Sequence, residues 1–308
     1  MRKPTPSDVC AQEPLRVTTY QELQQWAQAF AQGHLNLFIL CGAPGLEKSR
    51  TLKSLVGPRA CYIEGNATAF GVYCELFRHC HEAIVIDDVD SIYQEPAGIR
   101  LLKALCQSEP VKTVAWLSDA RSLEREGIPR RFTTRSPLAL VANRWPTSHP
   151  HLAAVEDRGL RVSFEPSALE VHCRVAQWYW DQEIFDFVGA HLHWIERPSM
   201  RLYVLAWQLK KAGMDWRCYV RQRLLVGRAL LVAQLKEDSR YASEAERVAA
   251  FVAAGGGCRA TYFNHARKLA EKPVVPPLVV KGQLPKAWEP DLDLLAKLRR
   301  RYGDLGSG

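Results

Sequence analysis

The sequence predicts an α/β fold of three layers, built on a mainly parallel sheet and followed by an all-helical region. Three observations predict it. Short apolar runs alternate with helical stretches from residue 19 to 164, as parallel strands covered on both faces do. After Pro166 only helical patterns remain. Hydrophobic residues make up 47% and charged residues 24% of the 308, enough to bury sizeable cores and too apolar for a disordered chain.

Each element has a local reason. Thr19-Tyr20-Gln21-Glu22 is a capping-box pattern, and the helix it opens runs to about Gln32, where Gly33 stops it. Residues 35–40 read as a buried strand, followed by Gly42-Ala43-Pro44-Gly45-Leu46-Glu47-Lys48-Ser49 and a helix to about Leu55. A short strand at 60–64 precedes a helix over 67–79 and the apolar run 83–86, which ends in Asp87-Asp88. A helix over 97–107 and two alternating stretches, 112–118 and 131–134, come next; such alternation suits hairpin strands. Strands at 138–142, ending at Asn143, and at 160–164 complete the sheet. Helices over 243–254 and 259–269 flank Gly255-Gly256-Gly257, and 273–290, with five prolines, reads as an extended linker to a short basic tail helix.

Composition excludes several classes. No apolar run approaches the ~18 residues of a spanning helix, so no membrane role is expected. The first ten residues lack an apolar signal region. Nine scattered cysteines, none in a CxxC pair, read as reduced and mostly buried thiols, which places the chain in the cytoplasm. The net charge is +8, and it is uneven: residues 197–308 hold 21 Lys/Arg and 10 Asp/Glu, a net of +11. Such a segment attracts a polyanion, most often nucleic acid, or is simply a solvated basic surface.

The strand–loop–helix at 35–55 carries the strongest chemistry. A phosphate-binding loop needs inward backbone N–H groups, a lysine for the terminal phosphates and a hydroxyl for Mg²⁺. Gly42, Gly45, Lys48 and Ser49 stand at the right spacings for this, with Pro44 in the same cofactor-binding loop and a helix N-terminus behind them. One position departs: Glu47 stands where the pattern has glycine. A carboxylate there would repel a polyphosphate by about 4 kcal/mol for unit charges at 4 Å and an effective dielectric of 20. The other reading of the loop is therefore a fold that has lost its nucleotide. Asp87 and Asp88 follow a buried strand at the end where open α/β sheets bind ligands; the first would hold Mg²⁺ and the second would orient or deprotonate water.

On these motifs the chain resembles the AAA+ branch of P-loop ATPases, over about residues 16–216. GAPGLEKS looks like Walker A and IVIDDVD like Walker B. Residues 138–143 look like the sensor-1 strand, which implies that Asn143 positions the attacking water or senses the γ-phosphate. Arg158, before the last strand, stands where the family places its arginine finger, which implies action in trans on a neighbouring subunit's nucleotide and a homo-oligomer, ring or filament, through that surface. Arg201 stands where a sensor-2 arginine contacts the γ-phosphate in cis. The resemblance implies ATP and Mg²⁺ as ligands and ATP hydrolysis as the activity. The alternating stretches before residue 138 look like the pre-sensor-1 β-hairpin of one DNA-associated clade.

Residues 112–135 hold six basic side chains, Lys112, Arg121, Arg125, Arg130, Arg131 and Arg135, against three acids; a basic hairpin would meet a nucleic-acid backbone, and a solvated excursion is the other reading. Phe70 is open to two readings, a pore-loop aromatic or a core residue. The pair 243–254 and 259–269 is either a helix-turn-helix presenting Arg259, Tyr262, Arg267 and Lys268 to DNA or an αα-hairpin extending the lid. Cys74, His79, Cys80 and His81 hold metal-ligand types with no matching second pair and are read as core thiols and surface histidines. Tryptophans 178, 180, 194, 207 and 216 are expected to fill the lid core. The expected organisation is an ATPase core over 1–166, a helical lid over 167–235, a helix-turn-helix module over 236–272 and a Pro-rich linker and tail over 273–308. The expected function is ATP-coupled DNA binding or remodelling, in replication, transposition or another mobile-element transaction, or else a nucleotide-inactive DNA-binding scaffold.

Overall fold

A computed structural model describes residues 13–270 and 275–282, apart from 90, 108, 119, 146–149 and 226. The chain forms two compact units: one runs through Glu170 and takes in Arg197–Ser199, and the rest makes the second.

In chain order the first unit holds β1 (Leu15–Val17), α1 (Tyr20–Ala31), β2 (Leu37–Gly42), α2 (Lys48–Val56), β3 (Cys61–Glu64), α3 (Ala69–Arg78), β4 (Ile84–Asp87), α4 (Ser91–Gln94) and α5 (Pro96–Leu105). It continues with β5 (Lys112–Ala115), α6 (Ala120–Glu126), β6 (Arg131–Thr134), β7 (Leu138–Ala142), α7 (Pro150–Glu156) and β8 (Leu160–Phe164). Helix α8 (Ala168–Val175) leads into the second unit, which holds α9 (Gln182–Gly189), α10 (Arg201–Lys211), α11 (Trp216–Leu224), α12 (Arg228–Glu237), α13 (Glu244–Ala253) and α14 (Arg259–Ala270).

The fold is α/β: six parallel strands in the order β1-β8-β2-β7-β4-β3, followed by a helical region. The central strands β2, β7 and β4 are buried on both faces, which is why they read as unbroken apolar runs. The Thr19–Glu22 capping box forms at the head of α1. β5 and β6 pair antiparallel as a separate ribbon, and α6 lies between them in sequence. The ribbon is anchored inward by Val114 and Phe132.

In the second unit Tyr179, Tyr203 and Phe185 are buried together with His172, and Trp216, Phe251 and Tyr262 are buried as well. Among the expected tryptophans only Trp216 is buried; 178, 180, 194 and 207 are half-buried. Helix α12 shares a small core with α13 and α14, built on Val232, Leu235, Phe251, Tyr262 and Ala266. Gly256 packs under Phe251, whose ring a Cβ would meet at 2.4 Å. Residues 275–282, expected as extended linker, hold neither helix nor strand and are hydrogen-bonded to the second unit: Val280 N–H donates to Gln182 Oε1 at 3.0 Å, Lys281 N–H to the Ala176 carbonyl at 3.2 Å and Gly282 N–H to the Tyr179 carbonyl at 2.8 Å. Pro273 and the tail from residue 283 lie outside the described residues.

Candidate functional site

The site forms where β2, β7 and β4 end side by side. β2 runs into Gly42, where a Cβ would lie 2.6 Å from the Phe164 carbonyl of β8; only glycine lets these backbones approach. Gly45 turns the loop at φ +80°, and the buried Tyr20 hydroxyl, donating to the Leu46 carbonyl at 3.2 Å, pins it. Lys48 then opens α2 with its side chain buried, and its Nζ donates to the carbonyls of Gly42 at 2.8 Å and Ala43 at 3.0 Å. Pro44 is exposed on the loop.

Three strands converge on that ammonium. Asn143 follows β7, the strand between β2 and β4. Its Oδ1 accepts from Lys48 Nζ at 3.4 Å, and its Nδ2 donates to both Asp88 oxygens, at 3.2 and 3.1 Å. Asp88 takes a left-handed φ of +52°, held by its N–H donating to the Val141 carbonyl at 3.0 Å. A non-glycine residue there costs roughly 1–3 kcal/mol and persists only where its surroundings over-determine it.

Asp87 ends β4 as a buried residue. Burial raises its pKa, with the charges of Asp88 and Glu64 adding, while a hydrogen bond from Ser49 and the charge of Lys53 oppose. Its Oδ1 is buried with no hydrogen-bond partner among the described residues. A buried carboxylate oxygen without a donor, beside a serine hydroxyl and a lysine ammonium, is a donor set that fits a divalent cation with a phosphate. Sequence reasoning missed the flank of this site. Glu64 ends β3 in register with Asp87 and is salt-bridged to Lys53; the parallel strand ends at 64 and 87 carried that signal.

Glu47, the departure from the loop pattern, sits at φ +64°, ψ 19°, the left-handed conformation that glycine adopts at no steric cost. Its side chain is only 7% exposed and pairs with Arg50 at 3.0 Å. An i,i+3 acid–base pair is readable from spacing, and Arg50 was missed.

The remaining residues are spread out. Gly159 packs directly on Leu37, at the opposite end of β2 from Gly42. Five residues of strand at ~3.3 Å each put Arg158 about 17 Å from the loop, farther than its side chain spans. Its guanidinium donates to the Lys103 carbonyl at 3.3 Å. Arg201 is exposed at the start of α10, in the second unit. Arg130 and Arg131 are exposed on the ribbon, but Lys112 is wholly buried and donates to the Ser136 carbonyl at 2.7 Å, which removes it from any basic surface. Phe70 is half-buried against Trp116, ring centroids 5.8 Å apart, as a core residue. On α14, Arg259, Arg267 and Lys268 are exposed. Tyr262, expected to face DNA, is fully buried against Phe251 and donates to Glu244 at 3.0 Å; packing takes the ring out of any reading surface.

No family model matches the chain. It is distantly related to an uncharacterized 36.7 kDa protein from the nrdC–mobD intergenic region of Enterobacteria phage T4: 26% identical over 145 residues, 42% of this chain and 44% of that protein. The match thus spans less than half the length of the phage protein. Among solved structures, similarity is found to NtrX from Brucella abortus in complex with ADP, with a TM-score of 0.34, 11% identity and coverage of 91% of this chain and 59% of that one. PCH-2 from C. elegans is similar with a TM-score of 0.27 and 13% identity, over 71% of this chain and 63% of that one. No helix among the described residues is long and apolar enough to cross a membrane.

Proposed function

We propose that the chain is an AAA+ ATPase that couples ATP binding and hydrolysis to DNA binding or remodelling. The observation that carries this reading is the linked set Lys48–Asn143–Asp88, with Asp87 and Ser49 beside it, at the joined ends of three parallel strands. Lys48 exchanges its loop carbonyls for phosphate oxygens, and Ser49 and Asp87 hold Mg²⁺. Bound Mg²⁺ would supply positive charge to offset the charge that develops in the transition state. Asp88 orients the attacking water and takes its proton, and Asn143 fixes Asp88 relative to the γ-phosphate. Because Arg158 lies at the far end of its own sheet, it serves the nucleotide of a second copy, which makes the active form an oligomer. Arg201 acts in cis.

DNA is the partner favoured by charge. The net +11 of residues 197–308 and the exposed Arg259, Arg267 and Lys268 suit a phosphate backbone.

A fluorescent ATP analogue titrated with Mg²⁺ tests the nucleotide part. The native chain binds; Lys48→Ala weakens binding at least 100-fold, about 3 kcal/mol, and Glu47→Gly strengthens it. No binding by the native chain with a gain in Glu47→Gly would establish the nucleotide-inactive scaffold instead, a reading that the buried Glu47 carboxylate favours. DNA affinity that fails to fall steeply with salt would remove DNA as the partner.

A further inference from the structure

The β3 edge of the sheet carries a second cluster, at the end of the strand away from the loop. Cys61 opens β3 with a buried thiol. Helix α3 brings Glu75 from its last turn and His79 from its C-cap to the same point. The Cys61 Sγ, a Glu75 oxygen and a His79 ring nitrogen all lie within 4.8 Å of one another.

The surroundings prepare these atoms. His79 Nδ1 is hydrogen-bonded to Glu82 Oε2 at 2.8 Å, while Nε2 faces Glu75 Oε2 at 3.6 Å. A carboxylate on one ring nitrogen fixes the tautomer and frees the other as a ligand, the usual support of a metal-bound histidine. The second Glu75 oxygen is held by Arg78 at 2.6 Å, and Arg78 also reaches Glu126 at 2.5 Å. An ion pair of protonated His79 with its two glutamates would satisfy the helix end, but it leaves the thiol without a role. Burial pushes that thiol up to about 11, and the carboxylates of Glu75 and Glu82 push it the same way. A thiol, an imidazole and a carboxylate around one point, with the Glu82 carboxylate behind the imidazole, are complementary to a dication.

We propose that Cys61, Glu75 and His79 form a zinc site that clips the edge strand β3 to the end of α3, with water as fourth ligand. Mixed sulfur, nitrogen and oxygen donors suit Zn²⁺. Bonds of about 2.0–2.3 Å place tetrahedral ligand atoms roughly 3.5 Å apart, so the cluster closes by about 1 Å. The half-exposed Glu75 and His79 side chains have room for that. On binding, the thiol proton passes to solvent and the thiolate takes the metal; no redox change is involved. The cluster escaped the sequence because Cys61 lies on a different element, 14 residues before Glu75 and 18 before His79.

The test is a Co²⁺ titration of the full chain in a non-thiol reductant, read by the near-ultraviolet thiolate-to-cobalt charge-transfer band. One equivalent is expected to develop the band, and Zn²⁺ to erase it. Cys61→Ser and His79→Gln should each abolish it, Cys80→Ser should leave it, and Glu82→Gln should weaken affinity roughly 10–100-fold. Because His79 lies on the surface, His79→Gln keeps the test valid even where Cys61→Ser disturbs the strand. The oxygen ligands at Ser49 and Asp87 give no such band, so the result is independent of nucleotide binding. Absence of the band in the native chain, or its survival in both Cys61→Ser and His79→Gln, overturns the site.

Discussion

The strand-end site and the α12–α14 grouping place polar residues by opposite means. At the strand ends each candidate side chain is held by another from a distant stretch of chain: Lys48 by Asn143, Asn143 by Asp88, Asp87 by Ser49. The backbone conforms too, with Glu47 and Asp88 both at positive φ. On α14 the helical repeat alone sorts the residues. Tyr262 and Ala266 turn in, while Arg259, Arg267 and Lys268 turn out. The first arrangement is pre-organised and intolerant of change. The second presents charge on the outward side of one helix, where Arg267 bonds Asn264 on its own helix and Arg259 lies over Phe263.

The largest expected effect tests that division on α14. Tyr262→Ala removes a fully buried ring from a small core and should cost about 3–5 kcal/mol, read as loss of the α12–α14 grouping by hydrogen exchange. The double change Arg267→Ala, Lys268→Ala should leave stability within about 0.5 kcal/mol and reduce the salt slope of DNA binding by about 2. If Tyr262→Ala instead weakens DNA binding with the fold unchanged, the inward and outward faces are wrongly assigned.

Next in size is a pH effect in the second unit. His172 is buried, hydrogen-bonded through Nδ1 to the Tyr203 hydroxyl at 2.9 Å and stacked on Phe185. Burial lowers its pKa from 6.5 to about 4. Above pH 6.5 neither folded nor unfolded histidine carries the proton, and stability is whole. As pH falls toward 4 the unfolded chain takes up a proton that the folded one refuses, so stability declines by about 3 kcal/mol in full. His191 is lowered in the same direction by burial. Urea midpoints at pH 7 and 4.5 should differ, and the difference should shrink in His172→Gln; an unchanged difference would refute the assignment.

The legible parts of the sequence are those where one physical constraint dominates. β2, β4 and β7 show as apolar runs because both faces are buried; Asp87 and Asn143 stand out because they end or directly follow such runs, and Lys48 because of its spacing from Gly42 and Gly45 in the loop. β1 escapes because it is three residues long on the sheet edge with two of them exposed. Lys112 misleads because its charge masks its place in the strand period: in β5 it shares the inward face with Val114. Tyr262 misleads likewise, although Tyr262 and Ala266 mark the buried stripe at i,i+4. Long-range partners, such as Cys61 with His79, are invisible until strand order is known.

The smallest expected effect isolates the one residue that breaks the loop pattern. Glu47→Gly relieves a left-handed backbone, a gain of roughly 1–2 kcal/mol. Against it stand the chain entropy of glycine, roughly 0.5–1 kcal/mol, and the loss of the pair with the exposed Arg50, roughly 0–1 kcal/mol. The contributions nearly cancel, so the melting temperature should stay within about 4 °C. A change in nucleotide affinity in this variant then reports the presence of the carboxylate in the loop, separated from any change in folding. A large drop in melting temperature would mean that Glu47 and Arg50 hold the loop together, and the strand-end geometry would owe more to this pair than to the glycines around it.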